Sequence, residues 1–181
     1  SNVGTITGAT YGLTLGGAQG GTLASILGTT SGTLTKQDAG TWTLSGNNTF
    51  TGATSVSAGT LAATVNNALG TNGAGTTVES GATLDLQNVT YSTTEALTVN
   101  GGTIKTSTGT SSFAGAITLG ATSTADVGGT QLTLSGIISG SFGLTKTSSG
   151  ILVLSNTNTY TGVTTINAGT LSVATIGNGG V

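Results

Sequence analysis

Two stretches of this chain align residue for residue at an offset of 110: Leu34 to Leu61 reads LTKQDAGTWTLSGNNTFTGATSVSAGTL, and Leu144 to Leu171 reads LTKTSSGILVLSNTNTYTGVTTINAGTL. The alignment needs no gap. Identical residues recur at Lys36 and Lys146, Gly40 and Gly150, Leu44 and Leu154, Asn48 and Asn158, Gly52 and Gly162, and Gly59 and Gly169, and Phe50 is answered by Tyr160. The offset extends weakly outward through Ser25 and Ser135, Leu27 and Ile137, and Ser31 and Ser141, so residues 1–110 read as one unit and 111–181 as part of a second. Recurrence on this scale belongs to chains that stack similar supersecondary units, each burying its apolar face against the next.

Within each unit, short alternating runs are separated by Gly or Asn: Thr41-Trp42-Thr43-Leu44, Thr83-Leu84-Asp85-Leu86, Leu97-Thr98-Val99, Ile117-Thr118-Leu119 and Leu132-Thr133-Leu134. Alternation of this kind sends one side chain into a core and the next outward. Thr is the most frequent residue, and with Val and Ile it favours strands, while the 33 Gly and many Asn favour bends. Charged residues are 4% and Pro is absent, which fits neither a disordered chain nor a helical one. Two-residue hairpin signals are not systematic, so parallel coiling is expected over a meander. The expected fold is all-β: a single right-handed parallel β-solenoid over 1–181, with about five coils of about 22 residues in each 110-residue unit. That makes about eight coils and a rod near 40 Å long.

The run Leu144-Thr-Lys146, Gly150, Leu152-Val-Leu154, Asn158-Thr-Tyr160-Thr-Gly162, Thr164-Thr-Ile166 and Ala168-Gly-Thr-Leu171 resembles the autotransporter passenger-associated β-strand repeat. The copy at 34–61 resembles it too, with Phe50 for the usual Tyr and Trp42 in an aliphatic slot. Asn67-Ala-Leu-Gly70, Ser80-Gly-Ala-Thr-Leu-Asp-Leu86 and Leu97-Thr-Val-Asn-Gly-Gly-Thr-Ile104 are similar to the filler between such repeats. The resemblance implies a β-helical passenger exported across a Gram-negative-type envelope, located at the cell surface or outside the cell. It implies no particular ligand, and such repeat proteins also build stalks and fibres. Ser1 opens directly on repeat-like sequence, so a leader is expected to have been removed, or the chain to be an excerpt of a longer one.

The residue inventory limits the chemistry. With His 0 and Cys 0, the chain supplies neither a Ser-His-Asp or Cys-His arrangement nor a Cys/His zinc site. The five acids are Asp38, Glu79, Asp85, Glu95 and Asp126. Glu79 and Asp85 are close enough in sequence to share one coil face as a glycosidase pair, but are expected to be solvated charges. No Arg is present, and Asp126-Val-Gly-Gly129 lacks the repeated acids of a calcium loop. No enzyme activity, cofactor or metal is therefore expected.

The residues singled out are the repeat positions themselves. Asn48 and Asn158 are expected to bond coil backbone at a corner, with Phe50 and Tyr160 in the core. Lys36 and Lys146 have the chemistry for isopeptide links but are expected to be exposed. Asn47-Asn-Thr49 and Asn88-Val-Thr90 match glycosylation acceptors. Thr-x-Thr pairs such as Thr5-Ile-Thr7, Thr41-Trp-Thr43 and Thr122-Ser-Thr124 raise an ice-binding reading, but their spacing is irregular where an ice face needs one pair per coil.

Three Lys against five acids leave no basic stripe for nucleic acid, and no apolar run is long enough to span a bilayer. The expected role is structural or adhesive, with a glycan or protein receptor on a host cell or surface as a partner. The alternative is a filament subunit that self-associates into fibres or arrays, because open solenoid ends expose unpaired strand edges.

Overall fold

The computed structural model describes residues 4–174. Among these it has 22 strands and no helix, wound as coils whose strands lie on three faces. One coil runs from Leu34–Lys36 on the first face to Thr41–Leu44 on the second, and then along the third before Thr54–Val56 returns to the first. The first face is a seven-stranded sheet and the second an eight-stranded one. The third begins as the pair Thr5–Thr7 and Ile26–Gly28 and resumes as five strands from Thr90–Tyr91 to Thr170–Val173. Among the described residues every strand pairing is parallel, and the one antiparallel contact is an isolated bridge between Glu79 and Gly101. The β-solenoid of about eight coils is therefore as the sequence implies.

The coil length differs from expectation. In register on the first face, Leu34 is followed by Thr54, Thr76, Leu97, Ile117 and Ile138. That is five coils, yet Leu144, the counterpart of Leu34, lies one strand further on, paired with Ser123 on the second face. The 110-residue offset is thus five coils and one third, at about 21 residues per coil rather than 22. Thr41–Leu44 lies on the second face, whereas its counterpart Ile151–Leu154 lies on the third. The two copies of the repeat are rotated by one face around the axis.

The interior consists of files in which each coil adds one side chain per inward position. On the second face Leu44, Ala63, Leu86, Thr106 and Val127 succeed one another, all buried. On the third, Tyr91, Phe113, Leu134 and Leu154 form one file, with the Tyr91 and Phe113 rings stacked at 5.4 Å. Continuous stacking of this kind buries apolar surface at about 25 cal/mol per Å² and holds neighbouring coils in register.

Candidate functional site: the repeat corners and the outward faces

The most distinctive polar construction lies where the repeat places its lysines. Lys36 and Lys146 are wholly buried, which overturns the expectation that they are exposed. Alternation explains it: Lys36 occupies the inward file between Leu15 and Val56, and Lys146 the inward file between Ala125 and Ile166. Each stem passes through the core, and the ammonium emerges at the next corner. There Lys36 Nζ donates to the carbonyls of Gln37 at 2.7 Å, Asp38 at 2.7 Å and Ala58 of the following coil at 2.9 Å. Lys146 Nζ repeats this with Thr147 at 2.6 Å, Ser148 at 2.6 Å and Ala168 at 3.2 Å.

Three carbonyl acceptors require three N–H donors, which is the charged ammonium. Burial lowers both lysine pKa values, opposed by the charges of Asp38 and Asp126 respectively. Among the described residues, the hydrogen-bond partners of both amines are backbone carbonyls, so the corner is a carbonyl cage.

The cage accounts for other repeat residues. Asp38 and Ser148, in equivalent positions, have φ of 62° and 61°, the left-handed turn in which their carbonyls meet the ammonium. Gly59 and Gly169 have φ of 65° and 72°, and a Cβ there would lie 2.7 Å and 2.9 Å from the lysine Nζ. Gly40, Gly52, Gly150 and Gly162 have no such backbone requirement; a Cβ on any of them would come within 2.4 Å of the backbone of the preceding coil.

Asn48 is buried and ties three coils together: its Oδ1 accepts from Leu27 N at 2.7 Å and its Nδ2 donates to Ala68 O at 2.5 Å. Asn158 accepts from Ile138 N at 2.8 Å, but its Nδ2 turns to Asn156 O of its own coil at 3.2 Å. Phe50 is fully buried beside Gly70, and Leu44 and Leu154 are core residues. Tyr160 is only half-buried; its ring packs on the core edge and its hydroxyl lies 2.6 Å from Thr164 Oγ1.

A second buried charge site carries no repeat signature. Glu95 is 1% exposed, and its carboxylate accepts from the hydroxyls of Thr76 and Tyr91, the latter at 3.2 Å. Leu69 N in turn donates to the Tyr91 hydroxyl at 3.1 Å. With no cation in contact, burial pushes the Glu95 carboxyl up to about 7 against the pull of the two hydroxyls. The Tyr91 phenol is raised, first by burial and then by the Glu95 charge.

Glu79 and Asp85 do not share a face. Glu79 ends a first-face strand, half-buried and bonded by Asn100 Nδ2 at 3.2 Å. Asp85 belongs to the second face and is 4% exposed, held by Gln87 Nε2 at 2.8 Å and Ser107 N at 2.9 Å, so it is not the solvated charge expected. Lys105 pairs with Asp126 at 3.0 Å. Burial works to raise the Asp126 pKa, but hydrogen bonds from Ser148, Lys105 and Thr147, with the Lys105 charge, hold it below the usual value. Among the described residues, no three His, Cys, Asp or Glu side chains group as metal ligands.

The Thr-x-Thr pairs scatter over different faces, as their irregular spacing implies: Thr5 and Thr7 on the third, Thr41 and Thr43 on the second. Hidden in that irregularity are single files of hydroxyls in strict register. The second face stacks Thr41, Thr60, Thr83, Thr103, Thr124, Thr145 and Thr165. The first stacks Thr14, Thr35, Ser55, Thr77, Thr98, Thr118 and Ser139. Coil lengths vary from 19 residues between Thr41 and Thr60 to 23 between Thr60 and Thr83, which conceals the files from any search at fixed period.

The family model described as the passenger-associated-transport-repeat matches residues 34–63 and 144–173. A curated relative, an autotransporter protein named adhesin BmaC of Brucella suis biovar 1 (strain 1330), is 38% identical over a match of 138 residues that covers 74% of this chain. The chain spans about 4% of that relative's length. No solved structure matches the chain.

Proposed function

From the premise that this chain is a β-solenoid carrying two passenger-associated transport repeats, we propose that it is a rod segment of a bacterial surface or secreted protein, built to project and present an adhesive surface. The observation that carries the reading is where the repeated residues lie. Lys36, Leu44 and Asn48, which recur identically as Lys146, Leu154 and Asn158, are buried in the first copy, closing corners and filling the core, so these recurring positions maintain the rod. The relative bears the name of an adhesin, which supports the adhesive half of the proposal.

Two measurements test it. Immunogold labelling of intact producing cells is expected to decorate their surface or their secreted material. Beads coated with the purified chain are expected to adhere to host cells above beads coated with an unrelated β-solenoid. Equal adherence removes the adhesive role and leaves a stalk; label confined to the cytoplasm removes both.

Filament formation by end-to-end stacking is a second reading, supported by the coil-on-coil parallel pairing that runs through all three faces, the same pairing by which one rod would add to another. Electron microscopy of the purified chain is the test, with fibres expected and short monodisperse rods refuting it.

A further inference from the structure

The second face holds a shallow polar groove that runs along the rod axis over consecutive coils, from Thr41 to Thr147. Resting on the adhesive reading above, we infer that this groove is a binding site for an uncharged, extended, β-linked hexose chain laid parallel to the axis.

The floor of the groove is the in-register hydroxyl file, with Thr60, Thr83, Thr103 and Thr124 at its centre. Among the described residues these hydroxyls have no protein partner, so each offers a donor and acceptors outward. They are held at the coil spacing, about 5 Å, on strands whose backbones are fixed by pairing on both sides. A β-linked hexose chain advances by nearly that distance per sugar, so successive sugars meet equivalent hydroxyls. The sites are rigid before binding, which reduces the ordering cost of association.

The next outward file selects the charge of the ligand. Asp85, Lys105 and Asp126 succeed one another in register, and all three line the groove. Asp85 is held in place by Gln87 and Ser107, and Lys105 is already paired with Asp126 at 3.0 Å. Two acids against one neutralised base disfavour polyanions such as sulfated glycans and nucleic acids. No apolar side chain lines the groove, which disfavours the apolar face of a peptide. A neutral polyhydroxylated chain matches the donors and acceptors that the threonine hydroxyls of the file present.

The test uses the whole purified chain with cellopentaose as probe and a heparin pentasaccharide as the charged comparator, in isothermal titration. Cellopentaose is expected to bind and the heparin fragment not to compete. The double variant Thr83→Val, Thr103→Val removes two hydroxyls while keeping β-branched strand residues, and is expected to weaken binding about tenfold. The double variant Thr77→Val, Thr98→Val on the first face is expected to bind as the parent does. Circular dichroism checks that both fold, and amide shift changes at Thr83 and Lys105 on adding cellopentaose locate the site independently.

No binding of cellopentaose, equal loss in the two double variants, or preference for the heparin fragment overturns the inference. Bead adherence to cells measured on the same protein separates the two proposals. Adherence without oligosaccharide binding discards the groove alone, whereas loss of both discards the adhesive reading as well.

Discussion

Replacing Glu95 by glutamine tests whether a lone carboxyl inside the rod loads the fold with a pH dependence. Folded, Glu95 is buried and its pKa lies at about 7, whereas its ordinary value is 4.5. The folded state therefore holds a proton that the unfolded chain releases, so stability falls as pH rises from about 4.5 to about 7 and is level above that. At 1.36 kcal/mol per pH unit, the loss across this window is about 3 kcal/mol. A glutamine at this position would keep the shape and two polar ends of the side chain without a charge to bury.

The Glu95→Gln variant is expected to match the parent within about 1 kcal/mol at pH 4.5 and to exceed it by about 3 kcal/mol at pH 8. Guanidinium unfolding followed by circular dichroism, repeated from pH 4 to 8 on both proteins, reads the difference. Asp126 contributes the opposite slope: its folded pKa is lowered, so the stability it confers is lost on acidification. The difference between parent and variant removes that common background. Equal slopes for the two proteins between pH 4.5 and 7 would refute the reasoning.

Three further substitutions probe the corners. Lys36→Met keeps the apolar stem but leaves the carbonyls of Gln37, Asp38 and Ala58 without their donor, and is expected to cost about 3 kcal/mol in guanidinium unfolding. Gly59→Ala puts a Cβ 2.3 Å from Asp38 O at a φ of 65°, and is expected to cost at least about 2 kcal/mol and to lower Tm, with Gly81→Ala as the control because a Cβ there meets nothing within 4 Å although its φ of 77° is equally left-handed. Asn48→Leu keeps the branching and heavy-atom number of the side chain while orphaning Leu27 N and Ala68 O, and is expected to cost about 2–4 kcal/mol, with amide hydrogen exchange at Leu27 rising before that of the distant Leu132.

What the sequence discloses and what it conceals divide along one physical line. Alternation and the Gly and Asn bends are local, so short strands such as Leu97–Asn100, and their parallel stacking, follow from residue pattern and repetition. The inward Asn48 is legible because an amide at a bend has both a donor and an acceptor to give. Lys36 is misread through a general rule about charge, although its alternation with Leu34 in Leu-Thr-Lys already points it inward. Glu95 has no signal at all: it stands in an irregular segment, and although Tyr91 lies only four residues before it, Thr76 belongs to the preceding coil and only the coil register brings it to the carboxylate. The hydroxyl files are hidden for the same reason, since coils of unequal length erase any fixed spacing.

The one-third turn between repeat copies has a consequence for how such a rod can bind anything. Lys36 makes its cage where the first face turns into the second, and Lys146 makes the same cage where the second turns into the third. The corner is therefore a portable unit, defined by a lysine, a left-handed residue two positions on and a glycine one coil later, and indifferent to which face precedes it. Outward residues at matching repeat positions consequently point in different directions: Thr35 projects from the first face and Thr145 from the second. An epitope written into the repeat would spiral around the rod, whereas a straight ligand can only be met by residues aligned through coil register. Thr35 is followed on its face by Ser55 and Thr77, not by Thr145. A surface that binds along the axis must then be encoded in the filler between repeats as well as within them, which is where Thr83, Asp85, Thr103 and Lys105 lie.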